Sequence, residues 1–424
     1  MAAVWSEENK FASWLKVEVA AVQAWADLGA VPRADADKIA AHASFDLDDV
    51  ERYEREMHHD MNAFLRSVSD SLGEEGRWVH LGLTSYDTED PATAIRMVQA
   101  ADILLRDLHA LDAAIAKRAL EHKDTLMMGR THNMHAEPIT FGLKLLNWLD
   151  EVRRDIKRLE AAREDIAVGK LSGPVGSHAT VPPELEERVC ARLGLGVDAV
   201  STQVISRDRH AHFLQTIALI GASLERFATE VRHLQRSEVG EAEEPFQKGQ
   251  QGSSSMPHKR NPEKCERVCG LARVLRGNAQ VAVENVALWH ERDISNSSAE
   301  RIVIPDSCLA LDYMLAMFTD IVAGLVVYPE RMLENMEITR GVVFSQRVLL
   351  ALVEKGMSRQ EGYYVVQRAG HNALDQRRPF RDTIGEEPEV QQRLTPGELD
   401  AIFDYAYFVR EVDKSFARLG LGEG

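Results

Sequence analysis

The residues best suited to chemistry fall in four short segments. One is the loop Gly249-Gln-Gln-Gly-Ser-Ser-Ser-Met-Pro-His-Lys-Arg-Asn-Pro262, which joins two glycines, three adjacent hydroxyls, two cations and an asparagine. Gly252 permits backbone shapes closed to other residues. Successive amide N–H groups in such a loop can surround a carboxylate or another oxyanion. Lys259 adds a point charge and Asn261 a neutral donor. The bland reading, a solvated Ser-Gly linker, needs neither the Met-Pro turn nor the convergent donors.

The second segment is Gly129-Arg-Thr-His-Asn-Met-His-Ala-Glu-Pro-Ile-Thr140, ahead of a long helical pattern. His132 and His135 can move protons near neutrality. Thr131 can bind a carboxylate oxygen and Glu137 can orient an imidazole. Two histidines three apart also raise zinc, but there is no HExxH arrangement and no third ligand is specified.

The third is His80-Leu-Gly-Leu-Thr-Ser-Tyr-Asp87, where Thr84 and Ser85 are neutral anion donors. Upstream lie His58, His59 and Asp60, and an Asp beside a His can set its tautomer or raise its pKa. His58 reads better as a surface residue than as a catalyst; for His59 both readings stand. The fourth is Leu288-Trp-His-Glu-Arg-Asp-Ile-Ser-Asn-Ser-Ser-Ala-Glu-Arg301. Arg292 and Arg301 can clamp anionic oxygens, or else pair with neighbouring Glu291 and Glu300. Cys265 and Cys269, four apart on a helix, read as small buried side chains. Glu241, Glu243 and Glu244 read as solvated surface, with contact to the serine loop that follows as the alternative.

These segments need rigid elements to hold them. From Phe213 the apolar positions Ile217, Ile220, Leu224, Phe227, Val231 and Leu234 follow in alternating steps of four and three, a heptad seam. Leu145, Leu149, Val152, Ile156, Leu159 and Ile166 form a second stripe, and Ala101, Leu104, Leu108, Leu111 and Ile115 a third. Helices of this kind run about 35 Å or more. Three exposed stripes would leave too much apolar area in water, so the pattern predicts an all-α, elongated helical bundle. Stretches 265–288, 307–327 and 342–356 also read as helix. Seams this long can continue across subunits. The flanks carry shorter helical patterns, among them Phe11 to Leu28 and Asp48 to Leu72, which places boundaries near 85 and 340: an N-terminal helical domain over 1–85, a central bundle over 86–340 and a C-terminal helical domain over 341–424.

Composition narrows the classes further. Of 424 residues, 45% are apolar and 28% charged, with a net charge of −17, which fits a globular chain and argues against a surface that grips nucleic acid. The uninterrupted apolar runs are only a few residues long, so no membrane span is expected. The N-terminus shows no apolar signal core, and four cysteines suggest no disulfide framework. A reducing cytoplasm is the expected compartment.

At these segments the chain resembles the fumarase/aspartase superfamily, and within it the adenylosuccinate lyases of the shorter bacterial type. The superfamily pattern GSSxMPxKxN stands here as Gly252-Ser253-Ser254-Ser255-Met256-Pro257-His258-Lys259-Arg260-Asn261. The histidine after Met-Pro, the GRTH…HAEP segment and the WHERDIS segment narrow the match, which covers nearly the whole length. The resemblance implies a three-domain helical fold and a homotetramer around a twenty-helix core, each active site drawing on three subunits. It implies β-elimination of fumarate from adenylosuccinate, giving AMP, and from the succinyl-aminoimidazole carboxamide ribotide of purine biosynthesis. The substrate is a small succinyl anion, and no cofactor or metal is required.

Carried onto this sequence, the resemblance makes Ser253 the base and His132 the general acid, with His59 as a second active-site histidine. Lys259 and Asn261 hold the developing charge, and Glu266 keeps the catalytic loop in order. Thr84, Ser85 and Thr131 match succinyl-carboxylate binders, Gln203 a substrate-binding glutamine, and Ser254 and Met256 loop contacts. His80, Arg292, Ser297 and Arg301 match residues near the ribose and phosphate. There are departures. An Arg-Tyr segment that helps hold the phosphate normally precedes the match to Val4-Trp5; it is absent from this sequence, which begins Met1-Ala-Ala. Bulky Tyr86 fills the variable place of Thr-Ser-x-Asp, His58 stands where arginine is common, and Asn133 where glycine is common. These changes leave a second expectation open, a specialised lyase acting on another N-succinyl compound or on nitrosuccinate.

Overall fold

The computed structural model describes residues 1–422 and is built almost entirely of helices. Five are long: Ser85–Glu121, Phe141–Ile166, Asp208–Leu234, Glu263–Glu284 and Ser295–Gly324. The stripes legible in the sequence are their buried faces. Every position of the Phe213 to Leu234 seam is at most 2% exposed, and Ala101, Leu104, Leu108, Leu111 and Ile115 at most 1%. Burying a leucine or phenylalanine this fully contributes roughly 1.5–3 kcal/mol each, so these seams hold the bundle together.

The chain divides into two compact units. The first holds Met1–His109, Arg154–Glu225 and Val268–Ala316; the second holds Ala110–Arg153, Arg226–Arg267 and the chain from Met317 onward. In the first unit, the side chain of Gln215 donates to the carbonyl of Ala279 at 3.2 Å, and Asn278 donates to Ser307 Oγ at 3.1 Å. A Cβ on Gly221 would lie 2.6 Å from Leu275 Cδ1, so a larger residue there would require the leucine tip to shift. An aromatic cluster of Phe11, Trp14, Phe45 and Phe64 packs the N-terminal helices. In the second unit Trp148 stacks on Phe227 at 5.0 Å, with Phe318 beside both. A separate core around Val348, Leu352, Phe380 and Ile384 closes the C-terminal helices.

Three local features differ from the sequence reading. The stretch 48–72 is two helices, Leu47–Met57 and Asp60–Asp70, because His58 takes a left-handed conformation that ends the first and His59 caps the second. The segment carrying His132 is a β-hairpin, Leu126–Thr131 paired with Met134–Thr140. Its turn residues His132 and Asn133 both have positive φ, 54° and 61°. Two such residues between antiparallel strands make a type I′ turn, where asparagine and glycine are the tolerant choices, so Asn133 suits the place. Finally, the Ser295–Gly324 helix is, by length and composition, long and apolar enough to cross a membrane. The expectation of no such segment rested on unbroken apolar runs, whereas this helix spreads its charges, Glu300, Arg301, Asp306, Asp312 and Asp320, among apolar residues. Its Cys308, Leu311, Met314, Leu315 and Phe318 are 0% exposed.

Candidate active site

The serine loop spans the stretch between Glu244 and the Glu263–Glu284 helix, and it is tied at both ends. Gln235 accepts from the Glu244 amide at 3.0 Å and donates to the Arg260 carbonyl at 3.1 Å. The buried Glu244 carboxylate accepts from the amides of Lys264 and Cys265 at 3.2 and 3.1 Å, satisfying the first N–H groups of the helix. Arg260 pairs with Glu243 at 2.8 Å. The expectation that Glu241, Glu243 and Glu244 form solvated surface is therefore corrected: Glu241 is 0% and Glu244 2% exposed. They are buried because orphan amides and arginines surround them, a demand that no local sequence pattern reveals.

Inside the loop, the chain crosses itself. A Cβ on Gly252 would lie 2.3 Å from the Lys259 carbonyl oxygen. Asn261 Nδ2 donates to the Gly252 carbonyl at 2.7 Å. The closure leaves Ser253 Oγ accepting from the amides of Ser255 and Met256 at 3.4 and 3.2 Å. Two N–H groups aimed at one hydroxyl oxygen favour negative charge on it. Ser254, Met256 and Lys259 are exposed, and Ser253 is half-buried. Glu266 stands exposed on the first helical turn.

His132 stands exposed at the tip of the hairpin with Thr131 beside it. The hairpin is pinned from below: Arg130 donates to both oxygens of Glu241, at 2.9 and 2.6 Å, and Asn335 donates to the same carboxylate at 2.8 Å. His135 lies across from Arg130, its Nδ1 buried without a hydrogen-bond partner among the described residues. Burial and the Arg130 charge lower its pKa. Glu137, expected to orient an imidazole, is exposed two residues further along the same strand and does not meet that nitrogen. A cavity of about 1000 Å³ lies in this unit; of the assigned residues only Thr131 lines it.

The other assigned residues belong to the first unit. Thr84 immediately precedes the Ser85–Glu121 helix, and Asp87 reaches back to accept from the Thr84 amide at 2.9 Å, half of a capping box. The other Asp87 oxygen accepts from the amides of Ser172 and Gly173 and pairs with Lys170 at 2.5 Å, with both side chains 0% exposed. Lys170 also donates to the Gln203 carbonyl at 2.9 Å. His80 meets Glu18 at 2.7 Å; burial disfavours its charge, but the Glu18 carboxylate outweighs burial and the net shift is upward.

Arg292 and Arg301 do not pair with Glu291 and Glu300 as neighbours. Arg292 donates to the Gln203 side chain at 2.9 Å and lies over the Tyr86 ring at 3.7 Å. Arg301 pairs with Asp60 at 2.6 Å. Glu300 turns inward to Arg207 and His210; burial opposes its charge, yet Arg207 and His210 hold it down at about 2. Asp60 is committed to Arg301 and to the Met61 amide, so it does not orient His59, whose Nδ1 instead accepts from the Asn62 amide at 3.4 Å. A cleft of about 300 Å³ opens among Tyr86, Glu89, Arg207, Ser297 and Arg301.

Sequence reasoning missed Lys170 and Arg207, whose partners are distant in the chain and leave no local signal. Asp87 lay inside a quoted motif and could have been found there. Among the described residues, no three His, Cys, Asp or Glu side chains gather as a metal site.

The serine loop closed on itself and the histidine at the turn tip belong to the second unit, and the hydroxyls at the helix start belong to the first. Residues 1–277 match the family described as Lyase, and residues 341–419 match the family described as Adenylosuccinate lyase C-terminus. The chain is 50% identical to the adenylosuccinate lyase of Bacillus subtilis (strain 168) over 421 residues, covering 99% of this chain and 98% of that one. It is also 50% identical to the adenylosuccinate lyase of Streptococcus mutans, covering 100% of this chain and 98% of the relative. Among solved structures, a fumarate lyase from Mesorhizobium sp. BNC1 matches with a TM-score of 0.91 at 26% identity, covering 98% of this chain and 97% of that one. A 3-carboxy-cis,cis-muconate lactonizing enzyme from Pseudomonas putida matches with a TM-score of 0.89 at 28% identity, covering 99% and 95%. The chain belongs to the adenylosuccinate lyase family of the fumarase/aspartase superfamily.

Proposed function

We propose that the chain is a fumarate-releasing carbon–nitrogen lyase that cleaves adenylosuccinate to AMP, and cleaves the succinyl-aminoimidazole carboxamide ribotide to its free carboxamide. Half-identity to bacterial adenylosuccinate lyases along almost their full length favours this over a lyase for another N-succinyl compound or nitrosuccinate. The observation that carries the chemistry is Ser253 Oγ facing two loop amides in a ring that only Gly252 permits.

In this reading Ser253 removes the proton from the succinyl Cβ. The electron pair delocalises into the neighbouring carboxylate, and Lys259 and the loop amides hold the charge by fixed electrostatics. The C–N bond then breaks; its electrons go to the departing nitrogen, which takes a proton from His132. Fumarate keeps the new double bond. Thr84 and Ser85, at the start of a 37-residue helix, offer hydroxyls to a succinyl carboxylate at the positive end of that helix, and Thr131 offers another donor. His59 assists the leaving group. His80, Arg292, Ser297 and Arg301 serve the nucleotide end, Gln203, Ser254 and Met256 contact the substrate, Asn261 joins Lys259 in holding the developing charge, and Glu266 keeps the loop in order. No cofactor enters these steps.

The same reading takes the chain as a homotetramer with sites completed across subunits, working in the cytoplasm. The three-domain division at 85 and 340 belongs to the same proposal. The test is fumarate release from adenylosuccinate by the full chain and by Ser253→Ala, with light scattering alongside. The expected loss in kcat is about 10²–10⁴-fold, the scale of a lost general base, in an unchanged tetramer. Near-normal turnover by the variant removes Ser253 as the base; no turnover by the unmodified chain removes the substrate assignment.

A further inference from the structure

We propose that Tyr86 is a positioning residue that presets the phosphate-binding end of the site; the proposal rests on the reading above. Tyr86 is 5% exposed and stands at the centre of a small network. Its ring carries the Arg292 guanidinium at 3.7 Å, and its hydroxyl donates to Ser297 Oγ at 3.2 Å. Arg292 in turn donates to Gln203, whose amide is tied to the Glu291 carbonyl at 3.3 Å. Two residues assigned to the nucleotide end, Arg292 and Ser297, therefore lean directly on one side chain that is not assigned there, and Gln203 is linked to it through Arg292.

The geometry explains why the ring matters. A guanidinium that is not stacked samples many rotamers and must lose that freedom when a phosphate arrives. Stacked on Tyr86 and bonded through Nη1 to Gln203, Arg292 already has its plane fixed before phosphate oxygens arrive. Ser297 is held by the same phenol. Its proton stays on, because burial, with Glu89 and Asp90 nearby, pushes the Tyr86 pKa up. Arg301 is held separately by Asp60. Tyr86 thus supplies in advance the order that phosphate binding otherwise has to impose.

The test compares the full chain with Tyr86→Phe and Tyr86→Thr, using adenylosuccinate and its phosphate-free nucleoside. A desolvated cation–π contact corresponds to a factor of about 30. Tyr86→Thr should lower kcat/KM for adenylosuccinate by about that factor, chiefly through KM, and should shrink the preference for the phosphorylated substrate equally. Tyr86→Phe keeps the stack and loses only the hydroxyl bond, so it should restore most of the loss. Arg292→Lys keeps the charge without the planar stack; it should shrink the same preference, and by less in a Tyr86→Thr background. Equal losses on both substrates, or a Phe variant as impaired as the Thr variant, would overturn the proposal. If the unmodified chain releases no fumarate, the functional reading fails, and calorimetry with AMP then decides Tyr86. AMP binding weakened about 30-fold in Tyr86→Thr supports the role, on the same cation–π scale, while equal or absent binding ends it.

Discussion

Replacing Asp87 by asparagine tests the buried pair that holds the start of the long Ser85–Glu121 helix. One carboxylate oxygen accepts from the Ser172 and Gly173 amides at 3.0 and 3.2 Å and from Lys170 at 2.5 Å; the other accepts from the Thr84 amide at 2.9 Å. All four partners are donors. An asparagine has one accepting oxygen and one NH2 group, so in either orientation a donor faces a donor. At least one backbone N–H goes unsatisfied, which costs about 1–3 kcal/mol. Lys170 is left charged and without its counter-ion at 0% exposure, and breaking a buried pair from one side costs about 3–5 kcal/mol. The two losses overlap, so about 4 kcal/mol is the working figure. Lys170→Met removes the pair from the other side, but Asp87 keeps three backbone donors and its charge remains supported. The smaller loss should therefore belong to Lys170→Met. Urea unfolding of both full-length variants at one fixed protein concentration reads these differences. A loss below about 1 kcal/mol for Asp87→Asn, or a larger loss for Lys170→Met, would refute the reasoning. Because Asp87 also fixes Thr84, KM for the succinyl substrate should rise in Asp87→Asn.

Two further outcomes are expected. Gly252→Ala places a Cβ 2.3 Å from the Lys259 carbonyl, so the loop must open; kcat should fall about 100-fold or more, on the scale of a misplaced catalytic group, with the thermal transition nearly unchanged, and full activity in this variant would contradict the ring closure. Glu89 has its pKa pushed up to about 7, first by burial and then by Asp60. A raised carboxyl pKa means that the folded chain binds the proton more tightly than the unfolded one. The stabilising contribution is thus complete below the ordinary carboxyl range and is lost as pH rises through about 7. Stability from pH 5 to 8 should fall more steeply in the unmodified chain than in Glu89→Gln, with a ceiling on the order of 3 kcal/mol, and parallel urea midpoints across that range would remove the shift.

The sequence by itself determined the elements and the chemistry-bearing types. Heptad spacing decides which face of a helix is apolar before any partner is known, and the seams from Phe213 to Leu234 and from Ala101 to Ile115 are indeed the buried ones. The hydroxyl-rich loop and the two-histidine segment were legible because their residue types are costly to place without purpose. The tertiary structure decided who holds them. Glu241, Glu244 and Lys170 looked like ordinary charges, and only the fold surrounds them with orphan amides and opposite charge. Arg292 and Arg301 had adjacent glutamates on offer, yet a distant ring and a distant aspartate took them. A side chain's partner depends on which surfaces packing brings within hydrogen-bond reach, and neither spacing nor composition records that distance.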